Sequence, residues 1–515
     1  QYLRSLELME KNENRPGIAQ QCESLGDVYL KKEDFDKAED HFMRASDLYE
    51  EMKEQASVQE VQDKLMFIFS QPKYLENRKK AIREGLKKPE AEKDPKLKLM
   101  LLKDLGNVLF MSSDWDAAAE VAKETIALHE KSGDKLALGG AYGNLGSILM
   151  EKEEFKEAEE NFAKSIKIKE ESDNQSGLKE LYASYLNVLI LAGKMDKAEK
   201  LVTKSLKINQ GANNVQGLVA DYRNLGNICL QKKDWSGAEK NYLDALALNT
   251  KAENKPEMAE DNRNQYNLYL QKEDWGNAEK YALRSFEIAE QIKDVRNILA
   301  DSRILAKIYV EKKDRVNQEK FYNKALEISE QLNDPKEICA DLRNLGKFNM
   351  ERGYREKASE GFQRSFKISS KLNDNTEIAE DYRNLGNLAF SNGKRQEAEE
   401  LYLKALKLTQ GAGDLRGAGQ DLTYLGNLKF KDLKYDDAEK YFGQAAECFR
   451  EIKSWSNLIQ FNMTVARMQI LVGRFDEFDK YLKDAREVAR DLGDPEPIME
   501  AIKAMEKMKD EIDKK

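Results

Sequence analysis

Five arginines recur at intervals of 40 residues between 223 and 383, and an amide or a lysine follows each of them by four positions. The arginines are Arg223, Arg263, Arg303, Arg343 and Arg383. The residues four positions on are Asn227, Asn267, Lys307, Lys347 and Asn387, and Asn427 continues their column. A guanidinium is a fork of N–H donors that matches a carboxylate, and an asparagine amide can pair with the N–H and C=O groups of an extended backbone. This chemistry favours the capture of an extended, acidic peptide segment.

A column of acids runs beside the arginines and offers a second use for them. Its members are Asp221, Asp261, Asp301, Asp341, Asp381 and Asp421. Because the two columns carry opposite charges and occur in the same repeats, they also predict Asp–Arg pairs between neighbouring repeats, each worth about 0–1 kcal/mol where exposed. The arginines could therefore stiffen the array, bind a ligand, or be held by the aspartates while they contact a ligand.

Both columns belong to a repeat that runs through the 515 residues. The heptapeptide DYRNLGN at 221–227 returns unchanged at 381–387, and glycines recur at multiples of 40 from residue 26 to residue 426. Such a period is typical of helical-repeat arrays, in which each repeat contacts only its neighbours. We therefore predict one elongated body rather than several separate domains.

Within each repeat, the apolar spacing predicts two helices. Between 215 and 254, apolar residues are spaced by three or four positions from Leu218 to Cys229 and again from Trp235 to Leu248. Gly226 is small where the two helices must come close. An aspartate precedes the second helix and is expected to cap it by accepting backbone N–H bonds. The aspartates at this position are Asp34, Asp114, Asp234, Asp274 and Asp314.

The pattern resembles the long, 40-residue subclass of the tetratricopeptide repeat family, which includes the Pins/LGN-type scaffolds and kinesin light chain. The residues that carry the resemblance are Tyr222, Leu225, Gly226, Ala238, Tyr242 and Ala245. It implies an all-α, right-handed superhelical solenoid of about twelve antiparallel helix pairs with a C-terminal capping helix. It also implies that the first helices, and hence the arginine and Asn/Lys columns, line a concave groove.

The repeat phase divides the chain into three parts. Residues 1–14 match the second half of a truncated repeat, so we expect a further repeat before Gln1. Residues 15–494 form twelve repeats, of which 55–94 is degenerate, and its eleven Lys or Arg against six Asp or Glu in 61–100 are either solvated or a docking patch for an acidic partner. Residues 495–515 carry one apolar stripe and are expected to cap the array.

Composition narrows the function. The net charge of −9 argues against nucleic acid, and no apolar run is long enough to span a membrane. Four scattered cysteines indicate a reducing, cytoplasmic setting. Neither histidine belongs to a catalytic or metal motif, so we expect no cofactor, metal or enzymatic activity.

We therefore predict a non-catalytic scaffold that binds an extended, acidic segment of another protein in its groove. The alternative is a self-assembling solenoid, dimeric or head-to-tail, whose Arg and Asp columns are only ion pairs between repeats. A ligand-sensing regulator would need an effector domain before Gln1.

Overall fold

The computed structural model describes residues 2–12, 14–172, 177–492 and 496–513, and these residues form helices joined by short turns. This part of the chain contains no β-strand, which confirms the all-α prediction. Two compact halves are distinguished, Gln1–Ala245 and Leu246–Lys515, and each is described by itself below.

The helices of the N-terminal half are α1 (Tyr2–Lys11), α2 (Arg15–Lys31), α3 (Phe35–Glu51), α4 (Gln55–Phe69), α5 (Pro72–Leu86), α6 (Pro89–Lys93), α7 (Pro95–Met111), α8 (Trp115–Ser132), α9 (Lys135–Glu151), α10 (Phe155–Glu171), α11 (Leu178–Leu191), α12 (Met195–Gly211), α13 (Val215–Gln231) and α14 (Trp235–Lys251), the last of which continues past Ala245.

The helices of the C-terminal half are α15 (Lys255–Gln271), α16 (Trp275–Ile292), α17 (Val295–Glu311), α18 (Arg315–Leu332), α19 (Pro335–Glu351), α20 (Arg355–Leu372), α21 (Asn375–Ser391), α22 (Arg395–Gly411), α23 (Leu415–Lys431), α24 (Tyr435–Glu451), α25 (Trp455–Leu471), α26 (Phe475–Asp491) and α27 (Glu496–Asp513). In both halves, helices that are adjacent in sequence pack in pairs, as the resemblance implies for a solenoid.

The turns between paired helices are set by capping, and the sequence predicted them in part. Asp234, Asp274 and Asp314 each accept a hydrogen bond from the backbone N–H three residues on, as expected. The prediction is wrong for Asp34 and Asp114, whose side chains make no such bond. Asp34 instead pairs with Lys37 at 2.9 Å, because the lysine ammonium lies one helical turn away and competes for the carboxylate.

In six repeats, the glycine of the first helix lies against a ring of the second helix. A methyl group built on Gly226 would lie 2.4 Å from the ring of Tyr242, whose hydroxyl donates to Asn227 over 2.6 Å and is thereby fixed. The same close approach joins Gly346 to Phe362 and Gly426 to Phe442. The ring, rather than the neighbouring small residue Ala238, is therefore what requires glycine at this position.

The repeat at 55–94 departs from this plan. Its two helices, α4 and α5, barely touch each other, and α5 packs mainly on α7 of the following repeat. Met66 takes the place of the glycine and is 63 % exposed. A short third helix, α6, begins at Pro89.

At the two ends, α1 packs on α2, and α27 buries Ile502 and Met505 against α25 and α26. The first residue of the segment predicted to cap the array, Pro495, lies outside the described residues, as do residues 1, 13, 493, 494, 514 and 515. The division of the chain into 1–14, 15–494 and 495–515 therefore stays a prediction.

Two glycine substitutions should affect stability in opposite directions. Gly226→Ala should lower the free energy of unfolding by about 1–3 kcal/mol, because its methyl group meets a fixed ring. Gly106→Ala should raise it by about 0.5–1 kcal/mol, because the nearest atom to the new methyl group is Val121 Cγ1 at 3.7 Å and alanine favours the helix. Urea titration followed by circular dichroism measures both, and equal effects at the two sites would contradict the packing described.

Candidate functional site

In the C-terminal half, the arginine column is paired with the aspartate column of the next repeat. We call the four pairs the arginine–aspartate ladder: Arg263–Asp301, Arg303–Asp341, Arg343–Asp381 and Arg383–Asp421. The Nε–Oδ1 distances run from 3.2 Å in the first pair to 2.6 Å in the last. The arginine is always 38 residues before its aspartate, so each pair joins the first helices of two successive repeats.

The aspartates of the ladder are buried and receive further donors from the second helix between them. Asp381 is 0 % exposed and accepts hydrogen bonds from Ser365 and Ser369, both at 2.6 Å. Ser285 donates to Asp301 at 2.7 Å, and Thr409 donates to Asp421 at 3.0 Å. Each ladder carboxylate with these donors therefore ties together three consecutive helices.

Each ladder arginine also contacts a second carboxylate, which comes from one of two places. Arg303 and Arg343 pair with Glu337 and Glu377, on the first helix of the next repeat, at 2.5 and 2.6 Å. In the other two pairs, the second acid lies one helical turn before the arginine. These contacts are Glu260 to Arg263 at 3.2 Å and Glu380 to Arg383 at 2.7 Å.

In the sequence, each ladder arginine has a glutamate at only one of the two positions that can supply the second carboxylate. Where the position one helical turn before the arginine is Ala300 or Ala340, the matching position at the start of the next first helix is glutamate. Where the earlier position is glutamate, the later one is Asn297 or Gly417. The sequence analysis missed this feature, and comparing these two columns would have revealed it.

Burial and pairing have opposite effects on the ionisation of these carboxylates. Burial raises the pKa of Asp301, although Arg263 and Ser285 work in the other direction. The same effect is larger at Asp421, where burial raises the pKa to about 6 despite the donors Arg383 and Thr409. Asp301 and Asp421 are therefore carboxylates whose burial opposes ionisation and whose arginines favour it.

The predicted column four residues after the arginines has a different environment. We call its members in the C-terminal half the amide–lysine row: Asn267, Lys307, Lys347, Asn387 and Asn427. The first three are exposed, and the last two are half-buried. Within the described part of the chain, Asn267 has no hydrogen-bond partner and Lys307 has no ion-pair partner.

Lys347 and Asn387 are partly engaged by neighbouring side chains. Lys347 lies 3.3 Å from Glu380, and Asn387 accepts a hydrogen bond from Tyr402 at 2.7 Å. Lys347 and Asn427 are brought together at a cavity of about 450 Å³ between α19, α21, α23 and α25. The cavity adds the amides of Gln420 and Gln460, which the sequence analysis did not single out.

The N-terminal half holds two of the predicted site residues. Arg223 is half-buried on α13. Asn227 is exposed and accepts the hydroxyl of Tyr242, which leaves its amide N–H groups available to a ligand. The structure thus pairs four of the predicted residues, Arg263, Arg303, Arg343 and Arg383, with buried aspartates, and it leaves Asn227, Asn267, Lys307 and Lys347 exposed.

The cations of the basic repeat at 55–94 also fall into a paired set and an exposed set. Several of them are paired with acids: Lys73 with Glu33 at 3.0 Å, Arg78 with Glu39 at 3.8 Å, and Lys79 with Glu76 at 2.5 Å. By contrast, Lys80, Arg83 and Lys87 are exposed on one face of α5 and its end. A docking patch for an acidic partner stays a prediction for these residues.

The described residues contain no convergent group of three His, Cys, Asp or Glu side chains that could hold a metal ion. None of the described helices combines the length and the apolar composition that crossing a bilayer requires.

Comparison with known families finds two matches. The tetratricopeptide repeat model matches residues 22–52 and 139–172. The model of the soluble NSF attachment protein family matches residues 346–490. No curated protein matches the chain.

Several solved structures are similar in part. BtubC (BKLC) from P. vanneervenii is 20 % identical, with a TM-score of 0.37 over 43 % of this chain and 94 % of its own. Aspartyl phosphate phosphatase F from Bacillus subtilis is 18 % identical, with a TM-score of 0.41 over 68 % and 93 %. A putative kinesin light chain from Podosopora anserina is 16 % identical, with a TM-score of 0.32 over 37 % and 96 %. These scores are too low to transfer a function or a partner.

Removing a ladder arginine should destabilise the fold far more than removing a row lysine. Arg343→Met leaves the buried carboxylate of Asp381 without its cation and should cost about 3–5 kcal/mol. Lys347→Met, four residues away on the exposed row, should change stability by less than about 0.5 kcal/mol. The double variant Arg343→Met/Asp381→Asn should recover part of the loss, because the amide needs no cation. Urea midpoints measure all three, and similar losses for the two single variants would show that the ladder does not hold the repeats together.

Asp421 and Asp274 should give opposite pH dependences of stability. The folded-state pKa of Asp421, about 6, lies above its unfolded value of about 3.9, so its contribution is present at low pH and lost as the pH rises through 6. The hydrogen bonds from the Asn277 side chain and backbone lower the pKa of Asp274, so its contribution is present above the unfolded value and lost as the pH falls.

Urea midpoints of the native chain relative to Asp421→Asn should therefore decrease between about pH 4 and pH 7. Midpoints relative to Asp274→Asn should increase with pH in the range below about pH 4. A flat difference for Asp421→Asn would mean that its arginine outweighs its burial.

Proposed function

We propose that this chain, which is built from tetratricopeptide repeats, is a non-catalytic scaffold that binds an extended segment of another protein along the amide–lysine row. Repeats of this type are typical of protein-interaction scaffolds, because stacked helix pairs present a long continuous face. The observation that carries the proposal is the division between the two columns: Arg263, Arg303 and Arg343 are paired with buried aspartates, whereas the residues four positions on, Asn267, Lys307 and Lys347, are exposed.

The chemistry of the row suits an extended backbone. Each asparagine amide offers one acceptor and two N–H donors, and an extended ligand has unpaired N–H and C=O groups. Successive members of the row lie on the first helices of successive repeats, so a ligand that crosses these helices can meet one amide or lysine in each repeat. The row can therefore contact a ligand at regular intervals without reading every side chain.

The expected preference for acidic segments rests on the lysines rather than on the arginines. Four ladder arginines already contact eight carboxylates, so their guanidiniums have little capacity for another. Lys307 is exposed and has no carboxylate partner among the described residues, and Lys347 has only Glu380. An acidic ligand side chain would thus meet these two ammonium groups.

Within this proposal the ladder is a support. It fixes the first helices to one another, so that the row residues are held at a constant spacing before a ligand arrives. Preorganisation of this kind lowers the entropy lost on binding.

A matched pair of lysine variants tests the row. Lys307→Ala/Lys347→Ala removes two cations from the row, and Lys367→Ala/Lys407→Ala removes two exposed cations from second helices. An immobilised set of twelve-residue peptides with graded Asp and Glu content provides the ligands. We expect the native chain and the second-helix variant to retain acidic peptides alike, and the row variant to bind them at least about tenfold more weakly, which corresponds to about 1.4 kcal/mol.

Equal retention by both variants, or no preference of the native chain for any peptide, would overturn the proposal. A sedimentation coefficient that rises with protein concentration, together with no peptide retention, would favour the self-assembling solenoid instead.

A further inference from the structure

The side chains at two positions of a repeat, one on each helix of the pair, share the space between the helices. As a rule, at least one of the two side chains is large enough to fill it. In six repeats the first position is glycine and the second is a phenylalanine or tyrosine. These pairs are Gly26–Phe42, Gly146–Phe162, Gly226–Tyr242, Gly346–Phe362, Gly386–Tyr402 and Gly426–Phe442. A methyl group built on any of these glycines would lie within 2.4 to 3.0 Å of the partner ring. Where glycine is absent, at 66, 186, 266, 306 and 466, at least one member of the pair is Met, Leu, Ile, Val or Tyr.

The repeat that contains α7 and α8 breaks this rule. Its two positions are Gly106 and Ala122, so both are small and no ring is supplied. A methyl group built on Gly106 would meet nothing closer than Val121 Cγ1 at 3.7 Å. Protein interiors are close-packed, and the loss of a ring without compensation leaves a void.

The structure has a cavity at this place. It measures about 230 Å³, and Gly106 and Ala122 lie in its wall. Apolar side chains of all three surrounding helices complete the wall, among them Leu102 and Phe110 of α7, Val121 of α8 and Ile148 of α9. Phe110 is held edge-on by Trp115, with ring centroids 5.0 Å apart. The cavity is therefore a formed apolar space in the N-terminal half.

The mouth of the cavity is polar and lies on the face of the first helices. Lys103, Asn107 and Asn144 line it and are exposed. Asn107 precedes Asn227 by three repeats and occupies the same position in its helix. Lys103 has no ion-pair partner among the described residues. A group that enters the cavity from this face would pass an amide and a cation before it reaches apolar walls.

We infer that this cavity takes the aromatic ring of a phenylalanine or tyrosine side chain carried by a bound segment of a partner protein. The inference rests on the proposed function for its source of the ring, and it adds a specificity pocket formed by the N-terminal half. The space is the one that Phe162 fills over Gly146, where the ring is 0 % exposed. The repeat lacks the six-membered ring that fills this space elsewhere. The polar residues at the mouth can pair with the backbone, or with an acidic side chain, of the segment that supplies the ring.

Aromatic anchors in preformed pockets dominate the binding energy of many interfaces, because a rigid ring buries a large area at little entropic cost. Filling the cavity from within should therefore abolish the site without harming the fold. Ala122→Phe restores the glycine–ring pair found in six other repeats, so its ring should occupy the cavity and its melting temperature should equal or exceed that of the native chain.

The probe is N-acetyl-L-phenylalanine amide, with N-acetyl-L-alanine amide as its ring-free control, and saturation-transfer NMR on the full chain measures binding. We expect the native chain to bind the phenylalanine probe and not the alanine control. Ala122→Phe should bind the probe at least about tenfold more weakly. The reciprocal variant Phe162→Ala opens the matching space over Gly146 and should add a second site.

No binding to the native chain, equal binding of the two probes, or undiminished binding to Ala122→Phe would each overturn the inference. If Ala122→Phe fails to fold, Ala122→Leu fills most of the space and takes its place in the test. The probe needs no partner protein and reports on the N-terminal half, whereas the lysine variants report on the row in the C-terminal half. A failure of the cavity is therefore distinguishable from a failure of the proposed function.

Discussion

The burial of aspartate carboxylates between repeats is the constraint on which the C-terminal half depends. Transferring a carboxylate out of water costs several kcal/mol unless cations and hydrogen-bond donors replace the lost solvent. Asp301, Asp341, Asp381 and Asp421 are at most 2 % exposed. Each needs the arginine of the preceding repeat, and three of them also use hydroxyl groups of the helix between. Neighbouring repeats are therefore joined by a directional contact in addition to apolar packing.

This constraint also determines what the surface can offer to a ligand. An arginine that holds one carboxylate still has unused N–H groups, and the structure directs these to a second carboxylate at every rung of the ladder. The guanidiniums are thus committed to the fold, whereas Asn267, Lys307 and Lys347, one turn further along the same helices, are exposed. Support and recognition are divided between two positions only four residues apart.

Much of the architecture could be predicted from the sequence, because the 40-residue period and the spacing of apolar residues encode helix pairs directly. The capping aspartates were predicted less well, because Asp34 and Asp114 precede their helices as expected but accept no capping hydrogen bond. Position alone cannot show whether a nearby lysine such as Lys37 competes for the carboxylate.

The candidate site was harder to predict than the fold. The two columns showed that Arg and Asp occur together, but not which way the side chains point, so pairing and ligand binding stayed open. The second carboxylates, such as Glu337 and Glu377, lie in the repeat after their arginines and emerge only when two columns are compared. The role of Gly226 was placed correctly at a close helix approach, yet its partner is the ring of Tyr242 on the following helix.

The unusual packing of the repeat at 55–94 has a consequence for how the N-terminal half is stabilised. In a linear array, the stability of each repeat depends on its own internal packing and on its interfaces with its two neighbours. Because α4 barely touches α5, the repeat at 55–94 has little internal packing of its own. Opening of this repeat is then opposed mainly by the contacts that α5 makes outside it, with α7 on one side and with Glu33 and Glu39 of the preceding repeat on the other.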